Sequence, residues 1–136
     1  MINSRKLALL ENIPIRWGDM DAMGHVNNTI YFRYMEQIRV SWYEQMFGEL
    51  SSAQSEGMVI VNASCNFLKP LTYPGTVEVR MLLGAASRSS VESYYELRMN
   101  DALYADGAAK IVWFDVQRGK SAPLPDSIRA QCPGGV

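Results

Sequence analysis

Residues able to do acid–base or nucleophilic chemistry are concentrated in one run of the 136-residue chain, WGDMDAMGHVNNTIYF at positions 17–32. The run contains two acids, the chain's only histidine and two adjacent asparagines: Asp19, Asp21, His25, Asn27 and Asn28. A carboxylate can act as a nucleophile or as a general base toward water. This run is therefore the candidate site, and the elements on either side of it must position it.

A helical pattern follows the run directly. In TIYFRYMEQIRVSWYEQMFG, apolar and aromatic residues recur mostly three or four positions apart, at Tyr31, Tyr34, Met35, Ile38, Trp42 and Met46. This spacing predicts one helix of about five turns that ends near Gly48. The first amides of a helix lack partners within it and carry partial positive charge, so they can polarise a carbonyl group without a basic side chain.

Alternating apolar residues predict four strands after the helix. The segments are GMVIVNASCNFLKPL, GTVEVRMLLG, SSVESYYELRMN and YADGAAKIVWFDVQ. The first is expected to place five side chains on one face, those of Val59, Val61, Ala63, Cys65 and Phe67. Two shorter elements are also expected, a strand at 13–18 (IPIRWG) and one or two helical turns in LPDSIRAQC with Asp126 as the cap.

This order of elements predicts an α+β fold, with one long helix on a five-stranded sheet, because short links favour antiparallel pairing. One helix cannot cover both faces of such a sheet, and the last strand carries apolar residues on both faces. We therefore expect the sheet to meet a second subunit. The length is typical of a single domain, expected to span residues 1–136.

The composition disfavours several other classes of protein. Thirteen basic and fourteen acidic residues give a formal charge of −1, which argues against a nucleic-acid or membrane-surface binder. No segment approaches the roughly 20 apolar residues of a membrane span, so a cytoplasmic protein is expected. Cys65 and Cys132 lack metal-ligand spacing, and no Gly-rich phosphate loop or GxSxG motif is present, so neither a metal nor a cofactor is expected.

The segment IRWGDMDAMGHVNNTIYFRYMEQIR resembles the opening of hotdog-fold acyl-CoA thioesterases, the group that includes 4-hydroxybenzoyl-CoA thioesterase. The shared pattern is an aromatic residue, Asp-x-Asp-x-x-Gly-His-Val-Asn-Asn, and then Tyr on a helix that carries Glu and Arg. CNFLKPLTYPGTVEV extends the resemblance more weakly, to roughly residues 13–116. It implies the hotdog fold, in which a curved sheet wraps the helix, a homodimer or a dimer-based tetramer or hexamer, and active sites at the subunit interface.

The resemblance also implies roles for single residues. It makes Asp21 the catalytic base or nucleophile and places the oxyanion donor at the backbone amide of Asn28, seven residues later. His25 is expected to contact the substrate or to order the catalytic water, and a purely structural role is equally open. Asp19 and Asp21 can instead form turn and capping hydrogen bonds, and Asn27 can serve simply as a helix cap.

The implied substrate is an acyl-CoA or acyl-carrier-protein thioester. Because coenzyme A carries phosphates, a basic rim is expected near the site. The turn SRSS at 87–90 resembles a family turn near the pantetheine arm. The candidate substrate-binding residues are Gly24, Asn27, Tyr31, Lys69, Arg88, Ser89 and Ser90.

Two other functions stay open at this stage. A hotdog dehydratase or hydratase acts on the acyl chain and typically shows Asp-x-x-x-x-His, whereas Asp21 and His25 are one residue closer. A non-catalytic acyl-CoA-binding module would not need Asp21 at all.

Overall fold

A computed structural model describes residues 5–51 and 54–134 of the chain. The long elements are β1 (Lys6–Pro14), α1 (Asn28–Phe47), β2 (Glu56–Phe67), β3 (Thr76–Ala86), β4 (Ser90–Met99) and β5 (Ala102–Asp115). A two-residue strand, β6 (Lys120–Ser121), and a single-turn helix, α2 (Asp126–Arg129), follow. Residues 1–4, 52, 53, 135 and 136 of the predicted single domain lie outside the described residues.

The strands form one antiparallel sheet in the order β1-β3-β4-β5-β2, with β6 paired to β5. The sheet curves around α1, which packs on its inner face and more closely on β1 and β3 than on β2. The predicted arrangement of one long helix on an antiparallel sheet is confirmed. Five long strands are present as expected, and the described residues add the short strand β6 and a 3-10 turn at Trp17–Asp19.

The apolar stripe of α1 is buried as its spacing predicts. Five of the predicted positions are buried, Tyr31, Tyr34, Met35, Ile38 and Trp42. Facing them are alternate residues of the central strands, among them Val77, Val79, Met81, Tyr95, Leu97 and Ile111. The helix ends at Gly48, whose φ of +82° lies in the left-handed region that favours glycine.

Two predicted elements near the chain ends differ from the structure. The strand predicted at 13–18 lies earlier, at Lys6–Pro14, because the Asp19 carboxylate accepts the N–H of Arg16 (3.0 Å) and turns the chain after Pro14. Asp126 is the first residue of α2 and not its cap. Pro125, with a φ of −59°, already occupies the cap position, and the helix has only one turn.

The shared face predicted for β2 is wrong in its first half because of a β-bulge. Ile60 pairs with Ile111 and Asn62 pairs with Lys110, so Val61 is an extra residue without a partner on β5. Ala63, Cys65 and Phe67 therefore share the helix-facing side with Ile60, whereas Val59 lies on the other face. A bulge changes the alternation by one residue, and nothing in the apolar pattern marks its position.

Gly107 on β5 allows α1 to approach the sheet closely. A Cβ atom at this position would lie 2.5 Å from the Met35 Sδ and 3.0 Å from the Ser64 carbonyl oxygen. We expect Gly107→Val to lower the free energy of unfolding by about 1–3 kcal/mol, because the added atoms overpack this contact. Urea unfolding of the variant against Gly57→Ala, whose Cβ would meet nothing within 4 Å, checks the effect. Equal stability of the two variants would contradict it.

Candidate active site

The run between Asp19 and Asn27 folds into a small hairpin, here called the active-site hairpin. The Asn27 N–H donates to the Asp19 carbonyl oxygen (2.9 Å), and the Asp21 N–H donates to the His25 carbonyl oxygen (2.8 Å). Met20 and Val26 form the bridge between the two sides. Gly24 closes the turn with a φ of +80°, in the left-handed region that favours glycine.

Asp21 has one carboxylate oxygen in the turn and one outside it. Its Oδ1 accepts the N–H of Met23 (2.9 Å), which is the turn hydrogen bond that the sequence offers as the alternative to a catalytic role. Its Oδ2 makes no hydrogen bond within the described part of the chain, and the side chain is exposed. A carboxylate fixed at one oxygen and open at the other is suited to accept a proton from water or to attack a carbonyl carbon.

The N-terminus of α1 begins directly after the hairpin. Asn27 caps it, because its Oδ1 accepts from both the N–H (2.9 Å) and the hydroxyl (2.8 Å) of Thr29. The Ile30 N–H donates to the Asn27 carbonyl oxygen (2.9 Å). Among residues 5–51 and 54–134, the Asn28 N–H has no acceptor. It is therefore a free donor at the positive end of a 20-residue helix.

These groups border one open cleft of about 330 Å³. Its lining consists of Asp21, Met23, His25, Val26, Asn28, Tyr31, Phe67, Leu68, Lys69 and Pro70. The structure thus brings together the three predicted catalytic residues and two of the predicted substrate-binding residues, Tyr31 and Lys69. Gly24 and Asn27 belong to the hairpin and the cap and do not line the cleft.

The far wall of the cleft was not predicted as a site. Phe67 is the last residue of β2, and Leu68 follows it; their side chains are 45% and 53% exposed, and Met23 on the hairpin is 80% exposed. The Phe67 ring contacts Tyr31 edge-on, with 4.9 Å between the ring centroids. The sequence pattern indicates only that Phe67 belongs to a strand of alternating apolar residues. Only its place at the strand end, beside Lys69-Pro70, could have suggested a site.

Tyr31 holds this wall against the helix. Its hydroxyl accepts the Leu71 N–H (2.9 Å) and lies 3.4 Å from the Lys69 carbonyl oxygen, and the Val26 N–H donates to the Leu71 carbonyl oxygen (2.8 Å). Burial raises the pKa of Tyr31 above its usual value, so the hydroxyl stays neutral at physiological pH. Lys69 directs its ammonium toward the Tyr104 ring, 5.7 Å from the centroid.

The predicted residues Arg88, Ser89 and Ser90 lie at the opposite end of the sheet from the cleft. The Arg88 and Ser89 carbonyl oxygens accept the N–H groups of Leu124 and Trp113, both at 2.8 Å. The hydroxyls of Ser87 and Ser90 lie 2.7 Å apart within the turn. One protomer by itself therefore does not bring this turn to the cleft.

The remaining nucleophile and metal candidates are weak. Cys65 is half-buried on β2, and burial raises the pKa of its thiol to about 11, so little thiolate is present at neutral pH. In the described part of the chain, no group of three or more His, Cys, Asp or Glu side chains is placed to hold a metal ion.

None of the described helices is long and apolar enough to cross a membrane.

A family model described as "Thioesterase-like superfamily" matches residues 15–132. The chain belongs to the thioesterase-like superfamily. A Pseudomonas aeruginosa structure named as a candidate thioesterase is 40% identical to it with a TM-score of 0.88, and the match covers 92% of this chain and 98% of that one.

Two further proteins are similar to this superfamily member. A Xanthomonas campestris structure named as a candidate acyl-CoA thioesterase is 34% identical, with a TM-score of 0.74 and coverage of 85% of this chain and 100% of that one. An Aquifex aeolicus protein named as a candidate esterase is 28% identical over 116 residues, 84% of this chain and 89% of that protein. The thioesterase likeness confirms the predicted hotdog fold, and thioester hydrolysis is the chemistry that it supports in general.

Proposed function

We propose that this superfamily member hydrolyses acyl-CoA or acyl-carrier-protein thioesters, with Asp21 and the Asn28 amide as the groups that act on the substrate. The observation that carries the proposal is the shared cleft, in which a carboxylate with a free oxygen and an unpaired helix N-terminal N–H border the same space. The Xanthomonas campestris relative named as a candidate acyl-CoA thioesterase supports the choice of carrier.

In the proposed reaction, the thioester carbonyl oxygen binds at the Asn28 N–H, where the helix dipole favours developing negative charge. Asp21 removes a proton from water, and the water oxygen bonds to the carbonyl carbon. The carbon–sulfur bond then breaks, and the thiolate takes up a proton to leave a free acid and the thiol. In the covalent alternative, an Asp21 carboxylate oxygen bonds to the carbonyl carbon, the carbon–sulfur bond breaks, and the thiolate leaves and takes up a proton. Water then hydrolyses the resulting anhydride to the free acid and the Asp21 carboxylate.

His25 and Lys69 have supporting roles in this proposal. His25 borders the cleft beside Asp21, where its side chain can contact the substrate or order the attacking water. Lys69 supplies positive charge at the cleft, as expected for a ligand that carries phosphates. The apolar wall of Phe67 and Leu68 provides a surface for the acyl group.

The active unit is proposed to be a homodimer formed through β2. This strand has 12 residues and no proline or lysine. Its outer edge is unpaired in the described chain, and Val61 at the bulge is 56% exposed. A long apolar edge strand is a ready template for pairing with a second copy. The opposite edge strand, β1, is shorter and ends in Pro14, so it is a weaker template.

Antiparallel pairing of two β2 strands would also explain how the turn at 87–90, which is distant from the cleft of its own protomer, could contact a substrate. Val112 pairs with both Val59 and Ser90, so this turn lies level with the start of β2, whereas Phe67 and the cleft lie at its end. A two-fold axis brings the start of one β2 to the end of the other. The partner's turn would then lie about three strand spacings, or about 14 Å, from this cleft, which is a suitable place to meet a pantetheine arm.

We expect the protein to have the mass of a dimer and Val61→Lys to shift it toward the monomer, because a charge on the unpaired edge opposes strand pairing. Light scattering coupled to size-exclusion chromatography measures the mass. Leu10→Lys, an equally apolar-to-charged change on the opposite edge strand, is the matched control and should stay dimeric. A Val61→Lys variant that keeps the wild-type mass would exclude this interface.

The function is tested by incubating the protein with a panel of short, long, branched and aromatic acyl-CoAs and measuring thiol release. Hydrolysis of at least one member supports the proposal and reports the acyl preference. Hydration of an enoyl-CoA without thiol release would instead indicate a hydratase. Tight binding of the whole panel without turnover would indicate a binding module.

A further inference from the structure

A buried carboxylate lies at the base of the active-site hairpin, and the proposed chemistry does not use it. Asp19 is only 3% exposed, and an aspartate that is this buried needs partners for its carboxylate. Its Oδ2 accepts two hydrogen bonds, from the Tyr34 hydroxyl (2.8 Å) and from the Arg16 N–H (3.0 Å). Its other oxygen lies 3.6 Å from the guanidinium of Arg16, which is itself largely exposed.

Tyr34 connects this carboxylate to α1. The tyrosine is 4% exposed, belongs to the hydrophobic core and lies one helical turn after Tyr31. Burial and the neighbouring Asp19 raise the pKa of Tyr34 well above its usual value, so the hydroxyl keeps its proton and remains a donor. The helix therefore holds both sides of the cleft through tyrosine hydroxyls. Tyr31 holds the segment at Leu71, and Tyr34 holds the hairpin at Asp19.

The contact is directly connected to the proposed reacting groups. The Asp19 carbonyl oxygen accepts the N–H of Asn27, the residue before the free Asn28 amide, and Asp21 is two positions further along the hairpin. Movement of Asp19 relative to α1 would therefore displace the Asp21 carboxylate relative to the Asn28 N–H. A misplacement of about 1 Å between reacting groups can cost about 100-fold in rate.

We propose that Tyr34 and Asp19 are positioning residues that fix the Asp21 carboxylate at its working distance from the Asn28 amide. The inference rests on the proposed function. It assigns Asp19 no contact with the substrate, because its carboxylate is buried at the base of the hairpin. Both of its oxygens have partners there, Oδ2 in two hydrogen bonds and Oδ1 beside the Arg16 guanidinium.

The first variant pair tests Tyr34. We expect Tyr34→Phe to lower kcat about tenfold or more while KM changes by less than about twofold, because misplacement of reacting groups affects the chemical step more than binding. Tyr43→Phe is the control, since Tyr43 is a buried tyrosine of the same helix whose hydroxyl has no hydrogen-bond partner in the described chain. It should keep wild-type kcat. Wild-type kcat in Tyr34→Phe would overturn the proposal.

The second pair tests Asp19. An asparagine can place its carbonyl oxygen where Oδ2 lies and keep both accepted hydrogen bonds, losing only the weak pair with exposed Arg16. Asp19→Asn should therefore keep much more activity than Asp19→Ala, which should resemble Tyr34→Phe. Loss of activity in Asp19→Asn as severe as in Asp21→Asn would make Asp19 a reacting group and overturn the positioning role.

A measurement without substrate separates this inference from the proposed function. We expect the hairpin amides of Asp21 and Asn27 to exchange their hydrogens faster in Tyr34→Phe than in Tyr43→Phe, as followed by NMR. Unchanged exchange at both amides would overturn the inference even in an active enzyme. If the wild type hydrolyses no acyl-CoA, the proposed function fails, and the exchange rates alone decide whether Tyr34 holds the hairpin.

Discussion

Asp21→Asn is expected to lower kcat for the best acyl-CoA substrate by about 100- to 10,000-fold, the range typical of losing a general base. The amide can neither accept the proton of the attacking water nor form an anhydride. It can still accept the Met23 N–H at its carbonyl oxygen, so the turn that Asp21 now forms is kept. Steady-state thiol release and thermal unfolding, measured together, separate loss of chemistry from loss of fold.

The conservative nature of this change is what makes its outcome informative. We expect the unfolding temperature of Asp21→Asn to match that of the wild type, because the side chain is exposed and its one hydrogen bond is retained. A variant with wild-type kcat would remove Asp21 from the mechanism. A single turnover in ¹⁸O-labelled water then addresses its role in the wild type, since label recovered in Asp21 would show that an anhydride had formed.

The sequence was most predictive where local pattern and tertiary structure agree. The spacing of Tyr31, Ile38 and Trp42 alone requires a helix with one buried face, and Gly48 ends it where a left-handed residue is needed. The alternation in β3 and β4 likewise predicts which side chains face the helix. These periods are properties of neighbouring residues, so no long-range information is required.

Failures of prediction occur where the pattern is interrupted for structural reasons. In β1, Glu11 occupies an inward position opposite buried Val79, and the register shifts between Leu7 and Leu9. Both features hide a strand from a search for alternating apolar residues. In β2, the extra residue Val61 reverses which side chains share a face, and single-sequence alternation cannot reveal it.

The candidate site was predictable on one side only. Asp21, His25 and Asn28 lie in one run, so residue types and spacing identified them together. The facing wall is about forty positions away along the chain, and the fold places it there through the contact of Tyr31 with Leu71. The buried pairing of Asp19 with Tyr34 had no signal in the sequence, since an aspartate before a helix is usually an exposed cap.

The role of the Asn28 amide can be tested because the amide lies at the first position of α1. Proline is tolerated at this position, where its missing N–H costs the helix nothing, and the extended conformation of Asn27 (φ −59°, ψ 138°) suits a residue before proline. Asn28→Pro therefore removes the proposed oxyanion donor and keeps the helix start. We expect kcat to fall about 100- to 1,000-fold, as for the loss of one such donor.

Asn28→Ala is the matched control for this change, because it removes the same side chain but keeps the backbone N–H. If the amide is the donor, the alanine variant should have kcat close to that of the wild type, and circular dichroism should show the same helix content in both variants. Equal losses in the two variants would instead assign the effect to the Asn28 side chain. Equal retention of activity would mean that the carbonyl oxygen binds elsewhere, and the helix terminus would then lose its proposed part in catalysis.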